Sequence, residues 1–247
     1  ASNNSNGLIG ISPALSYFHK NIFRGGEWLT LGLMGNFQFK MKDPIRATEL
    51  GASLSLTFPK MLFPVSQKIF TNRIPRTDIT ASYSYQSRPE YTRNIASGTF
   101  GYTWSMGEKF HYTVNPIKIK LVKLYNMSPG FLASLRDPFL IDTYRDHFDM
   151  GLSSIFYYTS DNSAVHDKTW NYVRVGLEAA GNLLSAFNRL MNTDSTGRHT
   201  IGSIAYSQYI KVDLNSGYTL IRNGHQLAGR LYAGVGVPYG NASSLPL

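Results

Sequence analysis

The stretch Q-L-A-G-R-L-Y-A-G-V-G-V at residues 226–237 decides the fold. Its apolar side chains occupy alternate positions: Leu227, Leu231, Ala233, Val235 and Val237. The positions between them include polar or small residues: Arg230, Tyr232, Gly234 and Gly236. A period of two residues is typical of a β-strand with one apolar and one polar face. This stretch is therefore predicted to be an amphipathic strand.

The same two-residue period recurs along the chain and predicts about ten strands. They are expected at 9–17, 29–40, 50–58, 79–86, 100–104, 110–121, 148–158, 173–179, 210–214 and 226–237. A series of amphipathic strands without long helices is typical of a closed antiparallel barrel, and a polar strand face suits the lumen of a membrane barrel. The predicted fold class is all-β, a transmembrane antiparallel β-barrel.

Composition agrees with one large all-β domain over residues 1–247. The chain has 22 glycines, 16 tyrosines and 14 phenylalanines, which suits curved strands with aromatic residues at interfaces. Cysteine is absent, which excludes disulfides and Cys-ligated zinc. No stretch approaches the roughly 20 apolar residues of a spanning helix, and residues 1–7 are too polar for a signal peptide. An exported protein would have lost its signal or be an internal piece.

The segments between the predicted strands contain turn, bulge and helix signals. An Asn-Gly pair at 223–224 predicts a tight hairpin turn, and a change of parity across Asn115 and Pro116 predicts a β-bulge or a kink. The two-residue period breaks at 124–146, where a short helix at 129–136 is compatible with the sequence, and helical spacing predicts a second helix at 182–192. Each lies inside a long loop. Short turns tend to alternate with longer loops, as at the two ends of a membrane barrel. Both chain ends are expected to be cut.

The formal net charge of +9 does not favour a nucleic-acid partner. Lysine and arginine are scattered, so anionic lipid head groups and a lumen of mixed charge explain the excess more simply. The six histidines lack metal-ligand spacing, and no nucleophile elbow is present. Gly234 and Gly236 lack the following helix of a dinucleotide fingerprint. We expect no enzyme activity, no metal and no cofactor.

Two sets of side chains are candidates for a functional role. Five charged residues on the polar faces of neighbouring strands are expected to face the lumen: Arg174, Glu178, Lys211, Asp213 and Arg230. They would form either a solvated, salt-bridged lumen wall or a docking site for a loop. Four aromatic residues are expected to face lipid or to form a girdle: Phe37, Phe39, Trp104 and Tyr158.

Several segments near the end of the chain carry a family resemblance. They are Y-I-K-V-D-L-N at 209–215, Y-T-L at 218–220, L-A-G-R-L-Y-A-G-V-G at 227–236, V-P-Y-G at 237–240 and L-P at 245–246. Together they resemble the barrel of the BamA/TamA superfamily of outer-membrane assembly proteins, also described as the surface-antigen domain. N-I-F-R-G-G-E-W at 21–28 resembles an early turn of that family, and residues 104–110 resemble a mid-barrel hairpin.

The resemblance implies that the chain is an incomplete barrel domain. It would hold about ten strands, from the second to the eleventh, of a sixteen-stranded barrel, and residues 1–7 would end the first strand. The N-terminal periplasmic domains, the closing strands and the Arg-Gly-aromatic tip of the lumen loop would lie outside the sequence. The lumen loop is expected to follow Leu247.

The resemblance also implies a function in the bacterial outer membrane. The family assembles and inserts outer-membrane proteins through a barrel seam that opens sideways and templates client strands by β-augmentation. The implied partners are client outer-membrane β-barrel proteins, lipids and lipopolysaccharide, and periplasmic or lipoprotein subunits. The gate residues would lie mostly outside this chain, because only residues 1–7 could approach the seam.

Two other functions stay open. A porin or specific transport channel would use the lumen charges to select solutes. A membrane-embedded hydrolase would need a Ser, His and acid constellation, which the sequence does not present. The residues after Leu247 separate assembly from transport, because a lumen-inserted loop favours assembly and a closing strand with a constricting loop favours a channel.

Overall fold

The computed structural model describes residues 2–3, 9–40, 43–62, 75–134, 144–163 and 168–245. Over these residues the protein is all-β, with antiparallel sheets and few helices. The predicted all-β antiparallel fold is confirmed at that level.

The strands and helices follow the chain in this order. The strands are β1 (Ser2–Asn3), β2 (Ile9–Ile11), β3 (Ala14–Lys20), β4 (Trp28–Lys40), β5 (Asp43–Phe58), β6 (Arg76–Ser87), β7 (Thr92–Met106), β8 (Phe110–Tyr125), β9 (His147–Thr159), β10 (Trp170–Ala180), β11 (Asn192–Thr193), β12 (His199–Ile201), β13 (Ile204–Ala205), β14 (Tyr209–Arg222) and β15 (His225–Pro238). The helices are α1 (Pro129–Ser134), α2 (Asn182–Ser185) and a 3₁₀ turn at Asn188–Leu190.

Twelve of these strands form one antiparallel sheet. Its order is β1-β2-β4-β5-β6-β7-β8-β9-β10-β14-β15, and β3 also pairs with β4. β2 and β3 are two parts of one irregular strand, interrupted at Pro13, which has no N–H for the ladder. β11, β12 and β13 form a separate small sheet. In the part of the chain that the structure describes, the large sheet is an open path and no closed barrel is detected.

The strand registers assign each strand residue to one of two faces. Directly paired residues share a face in an antiparallel sheet, and successive residues alternate between faces. We call one the polar face, which carries Ser53, Thr80, Thr99, Lys118, Glu178 and Asp213. The other is the apolar face, which carries Leu31, Leu54, Ile119, Leu152, Leu177 and Leu231.

The exposure of the two faces is the reverse of a globular core. Apolar-face side chains such as Leu33, Leu152 and Leu231 are 55%, 51% and 62% exposed. The buried polar side chains among the described residues are Glu27, Thr77, His147, Asp149, Ser153, Thr159, Thr200, Ser207, Gln208, Thr219 and Asn241. The buried hydrophobic ones are Tyr91, Val122, Ala180, Tyr206 and Tyr209. The described residues therefore bury more polar than hydrophobic side chains.

The connections fall at two ends of the sheet. End A has the connections 21–27, 59–75, 107–109, 160–169 and 223–224, and end B has 41–42, 88–91, 126–146, 181–208 and the segment 239–245. The expected separation of short turns from long loops is only partial, because the long connection 59–75 lies at end A together with the tight turns 107–109 and 223–224. Loop-closure entropy grows slowly with length, so either end tolerates a long connection.

The predicted hairpin and bulge are both present. Asn223 and Gly224 have φ of 50° and 76°, as a tight hairpin turn requires, and they join β14 to β15. The β8–β9 register shifts between Asn115 and Lys118, and the β7–β8 register shifts beside Gly101. A Cβ at Gly101 would overlap the Asn115 side chain, so glycine makes room for the bulge.

Three boundary predictions were wrong or incomplete. β7 starts at Thr92, eight residues before the predicted strand, because pairing with β6 and β8 extends a stretch whose own alternation is weak. β5 starts at Asp43, seven residues before the strand predicted at 50–58. The helix expected at 182–192 is only α2 and a 3₁₀ turn, because the apolar side chains of Leu183, Phe187 and Leu190 stay exposed and contribute little packing to stabilise a longer helix. α1 starts at the predicted residue 129, and residues 135–136 lie outside the described ones.

Candidate functional site

The five charged residues predicted to share a face do share the polar face. Glu178 on β10 lies opposite Lys211 on β14, and Gly176 lies opposite Asp213. Arg174 has the same parity as Glu178, and Arg230 on β15 lies opposite Gly217 on β14. Antiparallel pairing of three neighbouring strands therefore brings the five into one patch, which we call the charged ladder.

One expected ion pair forms within the charged ladder. Arg174 Nη1 donates to Asp213 Oδ2 at 2.6 Å, a diagonal contact between β10 and β14. Gly176 lies between them, and a Cβ there would overlap the Asp213 carboxylate. The glycine therefore lets the carboxylate lie over the strand and turn towards Arg174.

Glu178 pairs with a residue that the sequence reading did not select. Lys118 Nζ on β8 donates to Glu178 Oε1 at 2.6 Å, and the hydroxyl of Tyr209 donates to the same oxygen at 2.8 Å. The lysine reaches across β9 at Gly151, its register partner, where no side chain stands in the way. The alternation of Lys118 with Ile117 and Ile119 already marked it as a polar-face residue.

Arg230 makes a different contact from the one expected. Its Nε donates to Asn215 Oδ1 at 2.9 Å, and the Tyr172 hydroxyl donates to the same oxygen at 3.2 Å. A neutral amide therefore takes the place of an acidic partner for Arg230. Arg230 on β15 and Lys211 on β14 are the exposed members of the ladder, whereas Arg174, Glu178 and Asp213 are half-buried.

On β5, β6 and β7 the polar face carries hydroxyl side chains, which we call the hydroxyl ladder. The Thr80 and Thr99 hydroxyls lie 2.5 Å apart, and those of Ser82 and Ser97 lie 2.8 Å apart. Asp78 accepts hydrogen bonds from the hydroxyls of Thr57 at 2.7 Å and Thr103 at 3.1 Å. This half of the polar face thus carries mainly hydroxyl groups, together with charged residues such as Glu49, Asp78 and Arg93.

The four predicted girdle aromatics all lie on the apolar face, at two levels. Phe37 and Phe39 lie towards end B of β4. Trp104 and Tyr158 lie towards end A, where each contacts another aromatic ring. The ring centroids of Trp104 and Tyr112 are 5.3 Å apart, and those of Tyr158 and Phe110 are 5.2 Å apart. Aromatic residues at two levels of one face are typical of membrane girdles.

The chain after β15 turns back over the polar face. The carboxamide of Asn241 accepts from the His199 N–H at 2.6 Å and donates to the carbonyls of His199 at 2.8 Å and Tyr206 at 2.9 Å. Leu245 lies against Gly236, on its polar-face side. Residues 239–245 are therefore held against the 181–208 connection at end B.

The 181–208 connection has a stabilised acidic turn of its own. Asp194 accepts hydrogen bonds from the Thr196 hydroxyl at 2.6 Å and the Arg198 N–H at 2.9 Å. These bonds, that of the Thr196 hydroxyl above all, lower the pKa of Asp194 from 3.8 to about 2. The turn is thus held by an ionised carboxylate.

The described residues contain no group of three or more His, Asp or Glu side chains that could hold a metal ion. His111 contacts the Ser105 hydroxyl at 2.8 Å, and His147 Nδ1 donates to the Arg145 carbonyl at 3.0 Å. His147 Nε2 lies 3.9 Å from Asp149, too far for a direct hydrogen bond. His111 and His147 thus each contact another group of the protein through Nδ1.

None of the described helices is both long and apolar enough to cross a membrane.

Comparison with known proteins assigns no family. No protein-family model matches the chain, and no significant match to a curated protein is found.

Proposed function

We propose that this chain is the membrane-embedded part of an outer-membrane β-barrel that assembles other β-barrel proteins, as in the BamA/TamA superfamily. The observation that supports it is the sidedness of the sheet. Among the described side chains, Lys123 and Arg222 are the Asp, Glu, Lys or Arg residues on the apolar face, and each lies near the end of its strand. Hydrocarbon tolerates such a face and would penalise buried charge.

The height of the apolar face fits a bilayer. Phe148 and Tyr158 lie at opposite ends of β9 on this face, ten residues apart. Ten residues of strand span about 33 Å, which a tilt of about 40° reduces to about 25 Å, the height of the apolar band in outer-membrane barrels. Lys123 lies 5.4 Å from the ring centre of Tyr125, a basic and aromatic pair suited to the membrane interface.

The assembly function draws support from the segment after β15. Residues 239–245 turn back over the polar face and are anchored by Asn241, which is the direction that a loop entering a lumen would take. In this proposal the charged ladder and the hydroxyl ladder line the lumen of a sixteen-stranded barrel. Client barrel proteins, lipopolysaccharide and periplasmic or lipoprotein subunits would be the partners.

The membrane placement can be tested with single cysteines, since the chain has none of its own. Leu54→Cys and Ser53→Cys are neighbours on opposite faces of β5. With a fluorophore attached in reconstituted vesicles, we expect doxyl-labelled lipid to quench position 54 strongly and position 53 weakly. Equal quenching at both positions would contradict the proposal.

The assembly role can be tested in cells. Depletion of the full-length protein should lower the amounts of other barrel proteins in the outer membrane. An unchanged outer-membrane proteome, after depletion is verified, would overturn the assembly function.

A transport channel is the second candidate, and the Arg174–Asp213 and Lys118–Glu178 pairs favour it because charged lumen walls select solutes. Steady, ion-selective conductance in planar bilayers together with an unchanged proteome would support the channel over the assembly factor.

A further inference from the structure

The turn 21–27, at end A between β3 and β4, contains several hydrogen bonds. The Asn21 N–H donates to the Glu27 carbonyl at 2.5 Å, and the Gly26 N–H donates to Asn21 Oδ1 at 2.8 Å. The Glu27 side chain, 3% exposed as a residue, accepts from the N–H groups of Gly25 at 2.9 Å and Phe23 at 3.3 Å. The side chains of Glu27 and Asn21 thus accept hydrogen bonds from backbone N–H groups of the turn.

The Glu27 carboxylate of this turn accepts its hydrogen bonds from the backbone. The N–H groups of Glu27 itself, Gly25 and Phe23 lower the pKa of Glu27, and burial opposes them. The carboxylate is therefore ionised at neutral pH and turned inward. The groups that the turn presents outward are the exposed Arg24 and the Phe23 ring, which is 63% exposed.

Arg24 occupies a backbone conformation that suits glycine better. Its φ is 66°, in the left-handed region, and two glycines follow it directly. A non-glycine residue there costs about 1 kcal/mol. Neither a hydrogen bond nor an ion pair of the Arg24 side chain is seen among the described residues, so the fold gains little from this arginine.

A second cation and a second aromatic ring lie beside the turn. Phe23 stacks on Phe58, with 6.3 Å between the ring centroids and an interplanar angle of 4°. Pro59 lies next to Gly26. The exposed Lys60 follows directly and interacts electrostatically with Glu27. Phe58 belongs to the apolar face, so the two cations lie at its rim at end A.

We propose that Arg24 and Lys60 bind the phosphate of an anionic phospholipid, with Phe23 inserted beside its acyl chains. The proposal rests on the membrane placement of the proposed function. Charge complementarity selects the occupant, because two outward cations flank an inward carboxylate. Aromatic and basic residues at the edge of a lipid-facing surface are suited to head groups.

The decisive variant is Arg24→Gly, because glycine relieves the backbone at this position while removing the cation. The 247-residue chain, folded in detergent micelles, is titrated with phosphatidylglycerol or phosphatidylcholine and bound lipid is counted by native mass spectrometry. We expect Arg24→Gly to fold at least as stably as the wild type and to bind phosphatidylglycerol about fivefold more weakly. Lys60→Gln should weaken binding by a similar factor.

The matched control is Arg88→Gln with Arg189→Gln, two exposed cations at end B. This control should bind phosphatidylglycerol as the wild type does. Equal binding by wild type, Arg24→Gly and Lys60→Gln would overturn the proposal, as would an equal preference for phosphatidylcholine. Full competition by equimolar inorganic phosphate would overturn the phospholipid assignment.

Failure of this inference is distinguishable from failure of the proposed function. If the cysteines at positions 53 and 54 are quenched equally, the membrane placement fails. If position 54 alone is quenched but the lipid titration gives no preference, only the head-group site is wrong.

Discussion

On β5, β6 and β7 the polar face carries hydroxyl groups that bond to their direct neighbours, whereas on β8, β10 and β14 it carries ion pairs. The Ser82–Ser97 contact joins adjacent strands, but the Lys118–Glu178 contact crosses an intervening strand. The Asp213 carboxylate lies over Gly176, and Lys118 crosses β9 at its register partner Gly151, so each ion pair passes a glycine. In the hydroxyl ladder the Ser53 hydroxyl also lies over a glycine, Gly32, but the Ser82–Ser97 hydrogen bond joins direct register partners. We therefore expect the two halves to differ in their sensitivity to substitution.

The largest effect is expected from Glu178→Ala, because it leaves Lys118 and Tyr209 without their shared acceptor. The pair is partly exposed, so we expect a loss of about 2 kcal/mol in the free energy of unfolding, below the cost of breaking a fully buried pair. Urea unfolding in detergent micelles measures it. Glu178→Gln keeps a hydrogen-bond acceptor and should lose less, whereas equal losses would argue against a role for the charge.

Gly176→Ala should cost about 1 to 2 kcal/mol, because the added methyl group pushes Asp213 away from Arg174. Its matched control is Gly229→Ala on β15, where nothing lies within 4 Å of the new Cβ. The control should leave the unfolding midpoint unchanged or raise it slightly. A loss at Gly229 as large as that at Gly176 would contradict the role of the glycine gap.

Ser82→Ala in the hydroxyl ladder should cost at most about 0.5 kcal/mol, since the Ser82–Ser97 bond is exposed and neutral. The same urea titration measures it beside Glu178→Ala. If Ser82→Ala destabilised the chain as much as Glu178→Ala, the contrast between the two halves would be lost.

The smallest effect is a local pH dependence at Asp194. Because its folded pKa is about 2, below the ordinary 3.8, the carboxylate stabilises the turn above pH 4, and this contribution is lost as the pH falls towards 2. The amide signals of Thr196 and Arg198 in NMR spectra should therefore shift only below about pH 3. Asp194→Asn should remove the transition, and a shift near pH 4 would contradict the low pKa.

The strands and their faces could be predicted from alternation, because an amphipathic period of two assigns each side chain to a face before any partner is known. Arg174, Glu178, Lys211, Asp213 and Arg230 were placed together in this way, as were Phe37, Phe39, Trp104 and Tyr158. The irregularity at Asn115 could also be predicted, because a change of parity within a strand indicates a local break in its register. The start of β7 could not be predicted, since residues 92–99 alternate weakly and form a strand because they pair with β6 and β8.

The partners of these side chains could not be predicted, because they depend on register and on contacts across the sheet. Lys118 is sixty residues from Glu178 in the chain, and Asn241 is about forty from His199. Nothing in a local pattern specifies which residues meet at such separations. The alternation at 226–237 thus established an amphipathic strand from the sequence, whereas the pairing of β15 with β14 and the return of residues 239–245 over the polar face were decided by hydrogen bonds that only the folded chain forms.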